Sequence, residues 1–430
     1  MTTLPTTTAP TAAAPSVIDV CRRAREASYA VRELTTEVKN RVIAEMADAI
    51  DAVGEQLKQA NALDLAAARE NGASTTLVDR LTLTDKRISG MTRAMRTIID
   101  LPDPVGEVVE GRTRPNGIQI DQVREPLGVV AVIYEARPGV TADVAALCLK
   151  SGNTAVLRGS SIAKHTNAAI ADVLTEVLAR QEDVPTDAVQ LIRDCSREAA
   201  LELLKAEEYV DLLVPRGGPG LIKTVKDNAI VPTVIDGDGN CHVYVDTTAD
   251  RSMATDIVIN GKTSRPSVCN AVETLLVHQD LAENWLPGVL DELKGLGVEV
   301  RGDERTRAVW PDAAPVQDSD WETEYLDLIL AVKVVEDLDA ALRHINRYGT
   351  RNAEAIVAQD IAVARRFARA IDSGSVFVNT STRFSDGGEF GYGVEIGVST
   401  QKLHARGPMG LESLTCVKNV VWGSGQIRVL

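Results

Sequence analysis

Hydrophobic positions recur along the first part of the chain with the spacing of an α-helix. Ile43, Met46 and Ile50 are three or four residues apart and form one apolar stripe. The pattern predicts helical structure over residues 17–66. Residues 1–16 are rich in Thr, Pro and Ala and lack this stripe, so we expect a disordered tail rather than a signal or transit peptide.

The pattern changes after residue 104. Two β-rich runs flank a Pro-Asn-Gly turn between residues 104 and 125, which predicts a projecting hairpin. From residue 128, fully apolar runs alternate with helical segments, which is typical of a parallel sheet covered by helices on both faces. We therefore expect an α/β protein whose residues 17–247, hairpin included, form a doubly wound cofactor-binding domain.

A second α/β series follows a domain boundary that we place near residue 247. Residues 248–408 are expected to form the catalytic domain. Residues 409–430 return to strand character and form a small β element. This segment is a candidate partner for the early hairpin, in this chain or in a second subunit, so we expect an oligomerisation element and a homo-oligomer.

Composition narrows the classes of function. The net charge of -15 disfavours non-specific binding to nucleic acid or to an acidic membrane. No apolar run approaches the roughly 20 residues that a membrane-spanning helix needs. The six cysteines are scattered without a CxxC pair, which argues against a metal site and suits a reducing, cytoplasmic environment.

Two strands end in a turn that combines arginine with glycine. Arg158, Gly159 and Ser160 follow one strand, and Arg216, Gly217 and Gly218 follow the other. Glycine lets the backbone approach a phosphate, a helix N-terminus attracts an anion, and arginine binds phosphate oxygens in pairs. The alternative is a pair of ordinary glycine turns with solvated arginines.

Cys269 is the candidate nucleophile. It lies just before an apolar strand, with Lys262 and Arg265 upstream. Cationic neighbours lower the pKa of a thiol and increase the thiolate fraction. The alternative is a buried structural cysteine, which is the usual role of a free cysteine.

Two polar segments near the C-terminus are further candidates. Lys402, His404 and Arg406 alternate, so in an extended segment they point to one side and suit an anionic substrate. A solvated basic loop is the alternative. The glycine-rich stretch around Asn379 and Arg383 lines a site or forms a surface connection.

Long motifs in this sequence resemble one family. RPSVCNA, LKSGNTAVLRGSS, GNCHVYVD and STQKLHARGPMGL look like segments of the glutamate-5-semialdehyde dehydrogenases, also called γ-glutamyl phosphate reductases, of the aldehyde dehydrogenase superfamily. The resemblance runs in order over about residues 17–425.

The resemblance implies NADPH-dependent reduction of L-glutamyl 5-phosphate to L-glutamate 5-semialdehyde and phosphate, the second step of proline synthesis from glutamate. It implies that Cys269 forms a thioester, with its backbone N–H and Asn270 stabilising the oxyanion. By position, Arg158 meets the ribose 2′-phosphate, Arg216 to Gly218 face the pyrophosphate, and Glu324 holds the nicotinamide ribose. The C-terminal trio faces the substrate. Transient handover of the acyl phosphate from glutamate 5-kinase is a possible partner interaction.

The sequence departs from the family at two positions. Gly139 replaces the Asn of the Arg-Pro-Asn-Val-Thr segment, and Asn352 replaces the His of the Gly-Ser-Gly-His-Thr-Glu segment. The glutamate of hydrolytic superfamily members is also absent, because the corresponding region reads IDGDGN and offers only Asp236 and Asp238. This fits a thioester that is exchanged with phosphate.

Three other functions remain open on the sequence alone. A hydrolytic aldehyde dehydrogenase would turn over without phosphate. A cysteine acyltransferase or amidase would use the thiol without a nicotinamide. A catalytically silent assembly protein would not need the intact RPSVCNA segment.

Overall fold

A computed structural model of the chain describes residues 15–428 and shows a mixed α/β fold with parallel sheets, as predicted. Residues 1–14 of the expected tail lie outside the described residues. Ser16, which the prediction assigned to that tail, instead caps the first helix, because its hydroxyl accepts the backbone N–H of Asp19.

Fourteen α-helices occur in the described residues. They are α1 (Val17–Val31), α2 (Thr36–Ala52), α3 (Gly54–Glu70), α4 (Thr75–Leu81), α5 (Asp85–Asp100), α6 (Val140–Lys150), α7 (Lys164–Ala179), α8 (Arg197–Leu203), α9 (Pro219–Asn228), α10 (Arg251–Thr263), α11 (Leu286–Gly295), α12 (Glu304–Val309), α13 (Leu338–Tyr348) and α14 (Ile361–Ala370). Of these, none is both long and apolar enough to span a bilayer.

The strands of residues 15–428 fall into four sheets. They are β1 (Val108–Thr113), β2 (Gln119–Pro126), β3 (Val129–Tyr134), β4 (Thr154–Gly159), β5 (Val189–Leu191), β6 (Leu212–Arg216), β7 (Cys241–Val245), β8 (Val272–His278), β9 (Glu299–Gly302), β10 (Ala314–Pro315), β11 (Ile329–Val335), β12 (Ala353–Val357), β13 (Ser375–Val378), β14 (Val398–Ser399), β15 (Gly407–Pro408) and β16 (Thr415–Trp422).

The chain divides into two compact units. The first comprises residues up to Thr92, 127–213 and 228–232, and the second comprises 93–126, 214–227 and 233–430. The first unit holds β3, β4 and β5 in a parallel sheet with the order β5-β4-β3-β6, whose fourth strand begins in this unit. Every residue of β3 is buried, which explains its continuous apolar sequence.

The second unit is built on a seven-stranded sheet with the order β10-β9-β11-β8-β7-β12-β13. Its strands are parallel, so their amino ends share one edge and their carboxyl ends share the other. β7 and β8 are central strands, and almost all of their residues are buried. The amino edge of this sheet positions the candidate nucleophile.

The predicted boundary near residue 247 differs from the observed division. β7 was expected to close the cofactor domain, but it pairs with β8 and β12 in the sheet of the second unit. The hairpin also belongs to the second unit. The physical reason is that β7 is buried on both faces, so its apolar sequence does not reveal which sheet it joins.

The hairpin is formed as predicted, and the C-terminal strand completes it within the same chain. β1 and β2 pair antiparallel, and β16 pairs along the whole of β2 on its other side. Val417, Val421 and Trp422 of β16 are about half exposed in the single chain.

Candidate active site

Cys269 lies at the amino edge of the seven-stranded sheet. It follows α10 and precedes the first residue of β8 by three positions. Its carbonyl oxygen accepts the side-chain N–H of Asn352 at 3.3 Å and is 3.2 Å from the Cys241 Sγ. The starts of β7, β8 and β12 therefore meet at the backbone of this cysteine.

Gly239 makes that arrangement possible. A Cβ atom at this position would lie 1.9 Å from the Cys269 carbonyl oxygen and 2.4 Å from its Cα atom. Only glycine permits the turn before β7 to lie directly against the cysteine backbone. The same turn is fixed from the other side, because a Cβ at Gly237 would meet the Thr400 hydroxyl at 2.4 Å.

Asn352 has a structural role beside the nucleophile. It is buried at the start of β12, and its side chain donates to the Cys269 carbonyl, while its Oδ1 has no hydrogen-bond partner among the described residues. The residue that departs from the family pattern therefore holds the cysteine loop. Sequence reasoning identified the departure but not this contact.

The charges around Cys269 do not match the expected cationic environment. The pKa of its thiol is raised to about 12, mainly by burial, and the carboxylates of Asp236, Glu395 and Glu324 act in the same direction. The Arg216 guanidinium lowers it. At neutral pH the thiol of the free chain is therefore mostly protonated.

The lysine predicted to activate the thiol is engaged elsewhere. The Lys262 ammonium is fully buried and lies 2.6 Å from the Glu273 carboxylate, which is also fully buried. Burial lowers the pKa of Lys262 despite this partner, and burial raises the pKa of Glu273 to about 7. Arg265 is exposed. The cation that most lowers the pKa of the thiol is Arg216, which is 53 residues before the cysteine in sequence.

Arg216 forms the centre of a charged cluster in the second unit. Its guanidinium forms an ion pair with Asp236. Burial lowers the pKa of Arg216, but Asp236, Glu395 and Cys269 outweigh burial and raise it. Burial also raises the pKa of Glu395 to about 7, while one Glu395 oxygen accepts the Gly387 backbone N–H at 2.8 Å.

Asn270 does not present its amide hydrogens to the nucleophile. Its Nδ2 donates to the carbonyl oxygens of Arg383 and Ser385, at 3.3 and 3.0 Å. The side chain therefore anchors the glycine-rich loop. Within residues 15–428, the backbone N–H of Cys269 has no hydrogen-bond acceptor.

The two candidate residues of the glycine-rich loop, Arg383 and Asn379, have different surroundings. The charge of Arg383 interacts with that of the Cys269 thiolate. The Arg383 Nε donates to the Ser264 hydroxyl at 3.0 Å. The Asn379 Oδ1 instead accepts the backbone N–H of Ala358, and its Nδ2 donates to the Ala358 carbonyl oxygen, both at 2.9 Å. The backbone of Asn379 has a positive φ of 56°. Asn379 is therefore structural.

The C-terminal trio does not present three free cations. Lys402 and Arg406 both bind the carboxylate of Asp372, at 2.7 and 2.9 Å. The His404 Nε2 lies 3.1 Å from the Ser413 carbonyl oxygen. Sequence reasoning missed Asp372 because it lies 30 residues upstream of this segment.

The cofactor candidates of the first unit surround the carboxyl end of β4. The Arg158 Nη2 donates to the carbonyl oxygens of Cys195 and Ser196, at 2.7 and 2.8 Å, while its buried Nε has no partner among the described residues. A Cβ at Gly159 would lie 2.0 Å from the Asn167 Nδ2. The Ser160 backbone N–H donates to the Tyr134 carbonyl oxygen at 3.0 Å.

The remaining cofactor candidates belong to the second unit. Gly217 and Gly218 are exposed directly before α9. Glu324 is half-buried and contributes to the electrostatic environment of Cys269. Among residues 15–428, no three His, Cys, Asp or Glu side chains gather as a metal-ligand set.

An α/β chain with a cysteine at the amino edge of a parallel sheet matches a known class of oxidoreductase. The model of the aldehyde dehydrogenase family matches residues 1–309 and 314–420 of this chain.

Relatives narrow that class. The γ-glutamyl phosphate reductase of Moorella thermoacetica is 54% identical over 95% of this chain and 97% of its own length. The Thermobifida fusca protein of the same name is 52% identical over 95% and 98%. The crystal structure of γ-glutamyl phosphate reductase from Thermotoga maritima is 46% identical, covers 96% of this chain and 100% of its own, and has a TM-score of 0.94. The chain belongs to the γ-glutamyl phosphate reductases of the aldehyde dehydrogenase family.

Proposed function

We propose that this chain catalyses the NADPH-dependent reduction of L-glutamyl 5-phosphate to L-glutamate 5-semialdehyde, through a thioester on Cys269. The observation that carries the proposal is the Cys269 loop, fixed by Gly239 and Asn352 and surrounded by Arg216, Asp236 and other carboxylates. Family membership supports the substrate.

Thiol deprotonation is the first requirement. A thiol whose pKa is about 12 needs both a proton acceptor and a cation that favours the thiolate. Arg216 supplies the cation. Glu395 is a carboxyl group of the same cluster whose pKa is raised to about 7, and in its charged form it opposes the thiolate.

Acyl transfer then follows from the nucleophile. The Cys269 thiolate forms a bond to the acyl carbon of glutamyl phosphate, and the bond from that carbon to the phosphate oxygen breaks. The free N–H of Cys269 stabilises the oxyanion. Asn270 supports this step only indirectly, by holding the loop around Ser385.

The residues present fit a phosphorylated nicotinamide. Arg158 has a buried Nε without a partner, at the strand end where open parallel sheets bind nucleotides. In the first unit, Arg158, Gly159 and Ser160 would hold the adenosine end of the cofactor. In the second unit, the Gly217–Gly218 turn would hold a pyrophosphate and Glu324 a nicotinamide ribose. When bound, NADPH supplies the hydride that reduces the thioester.

The pairing of Lys402 and Arg406 with Asp372 changes their proposed role. Two cations that share one carboxylate retain net positive charge, so an anionic substrate group can still be attracted to the segment. Lys402, Arg406 and His404 would bind an anionic group of the substrate, which would displace the Asp372 carboxylate or share its two cations.

The cellular setting is part of the proposal. Free cysteines, several of them buried, suit the cytoplasm. The exposed apolar side chains of β16 suit a homo-oligomer in which this strand is covered.

The test is an assay of phosphate-dependent NADP⁺ reduction with glutamate 5-semialdehyde. Cys269→Ala is expected to abolish it, and Cys416→Ala is the matched control, because Cys416 is exposed on β16. Substantial activity in Cys269→Ala would contradict covalent catalysis. Undiminished turnover without phosphate or arsenate would instead indicate a hydrolytic aldehyde dehydrogenase.

A further inference from the structure

A groove in the second unit collects cations away from the cysteine. It is an open concavity of about 410 Å³ between the carboxyl-end half of β11, α13 and the start of α12. Its basic residues are Arg305, Lys333, Arg343 and Arg347, and Glu336 is the one carboxylate among its lining residues. The cysteine lies instead at the amino edge of the same sheet.

These cations are not neutralised by the protein. Among the described residues, none of the four forms an ion pair with a carboxylate within 4 Å, whereas Lys402, Arg406 and Arg216 all do. In a chain of net charge -15, an uncompensated cluster of this size is unexpected for a merely solvated helix face.

A buried histidine beside the groove positions one of its cations. His344 is only 4% exposed and lines the groove. The Lys333 ammonium lies 3.3 Å from its Nδ1, which must accept, so the neutral ring carries its proton on Nε2. That Nε2 has no hydrogen-bond partner in residues 15–428.

Aromatic rings hold the cations in place. The Lys333 ammonium lies 5.3 Å from the centroid of the Trp321 ring, and the Arg347 guanidinium lies 4.9 Å from that of Tyr348. Such contacts orient a cation without neutralising its charge. The groove thus combines oriented cations and a concave shape.

We propose that this groove binds a small multivalent oxyanion, through Arg343, Arg347 and Lys333. Two sources share this chemistry, namely a phosphate compound and a tricarboxylate. The groove lies at the carboxyl ends of β9 and β11, which is the edge where open parallel sheets bind ligands. The proposal does not depend on the function proposed for Cys269.

The experiment measures binding of inorganic pyrophosphate and, in a second arm, citrate, by isothermal titration calorimetry. The protein is the full chain saturated with NADP⁺, without substrate. The test variant is Arg343→Gln/Arg347→Gln on α13. The charge-matched control is Arg365→Gln/Arg369→Gln, which removes two exposed arginines from α14.

We expect the α13 variant to weaken binding of at least one anion by about tenfold or more, since two charge-assisted hydrogen bonds are lost. The α14 variant is expected to change it less than about twofold, because those charges are screened. The arm that responds identifies the source. Equal weakening in both variants, no weakening in either, or no binding of either anion would overturn the proposal. Unchanged melting temperatures show that both variants are folded.

Discussion

Two arginine-glycine turns that look alike in sequence have different surroundings in the structure. Arg158 is the penultimate residue of β4 in the first unit and donates to two backbone carbonyls, and within the described part of the chain it forms no ion pair with a carboxylate. Arg216 ends β6, forms an ion pair with Asp236 and lowers the pKa of the Cys269 thiol. The first arginine keeps its full charge for a ligand, whereas the second belongs to the environment of the nucleophile. A shared local motif therefore does not imply a shared role.

The largest expected effect is that of Arg216→Gln. Loss of this cation leaves the carboxylates near Cys269 uncompensated and disfavours the thiolate, so kcat should fall roughly 10²- to 10³-fold. The dissociation constant for NADPH should change little. Steady-state kinetics and NADPH fluorescence titration check this, with Arg216→Lys as the conservative variant. A large increase in the NADPH dissociation constant at unchanged kcat would contradict this, because it would show that Arg216 binds the cofactor as Arg158 is proposed to do.

Arg158→Met should produce the converse result. Removal of a cation that meets the 2′-phosphate should raise KM for NADPH by about tenfold or more, leaving KM for NADH and kcat nearly unchanged. Arg197→Met, an exposed arginine at the start of α8, is the control. If Arg158→Met affects both nicotinamides equally, the assignment of the 2′-phosphate to this residue fails.

Asp236→Asn should increase the reactivity of the thiol. Asp236 is the carboxylate that most raises the pKa of Cys269, so its neutralisation should speed alkylation of Cys269 by iodoacetamide at pH 7 by about tenfold. Arg216→Gln should slow the same reaction. Peptide mass spectrometry separates Cys269 from the exposed Cys416, whose rate should not change. A slower reaction in Asp236→Asn would reverse the inferred sign.

The smallest effect is expected for Glu395→Gln, and it depends on pH. The pKa of Glu395 is about 7, so the wild-type side chain is mostly neutral at pH 6 and mostly charged at pH 8. Its charge raises the pKa of the thiol. Alkylation of Cys269 in the variant should therefore match the wild type at pH 6 and exceed it by about two- to fivefold at pH 8. An equal ratio at both pH values would exclude Glu395 as the titrating neighbour.

Much of the fold could be predicted from sequence because its signals are local. The helical stripe of α2 and the buried run of β3 follow directly from their periodicity. The placement of β7 could not be predicted in this way, because the apolar sequence of a strand buried on both faces does not indicate which strands it pairs with.

The candidate site shows the same division. Cys269 could be singled out by its motif, and the turn of Arg216 by its glycines. The ion pair with Asp236, the Glu395 carboxyl group and the Asn352 contact could not, because they depend on chain segments that only the fold brings together. For that reason the sequence suggested Lys262 as the activating cation, although Glu273 binds it in the interior.

The proposed mechanism requires a thioester at Cys269 that is cleaved by phosphate and not by water. The direct measurement is a rapid-mixing experiment with glutamate 5-semialdehyde and NADP⁺ in the absence of phosphate, followed by addition of phosphate. We predict a burst of about one NADPH per active site, acylation of Cys269 in the mass spectrum, and steady turnover only after phosphate is added. Continuous turnover before phosphate is added, or a burst without modification of Cys269, would contradict the account.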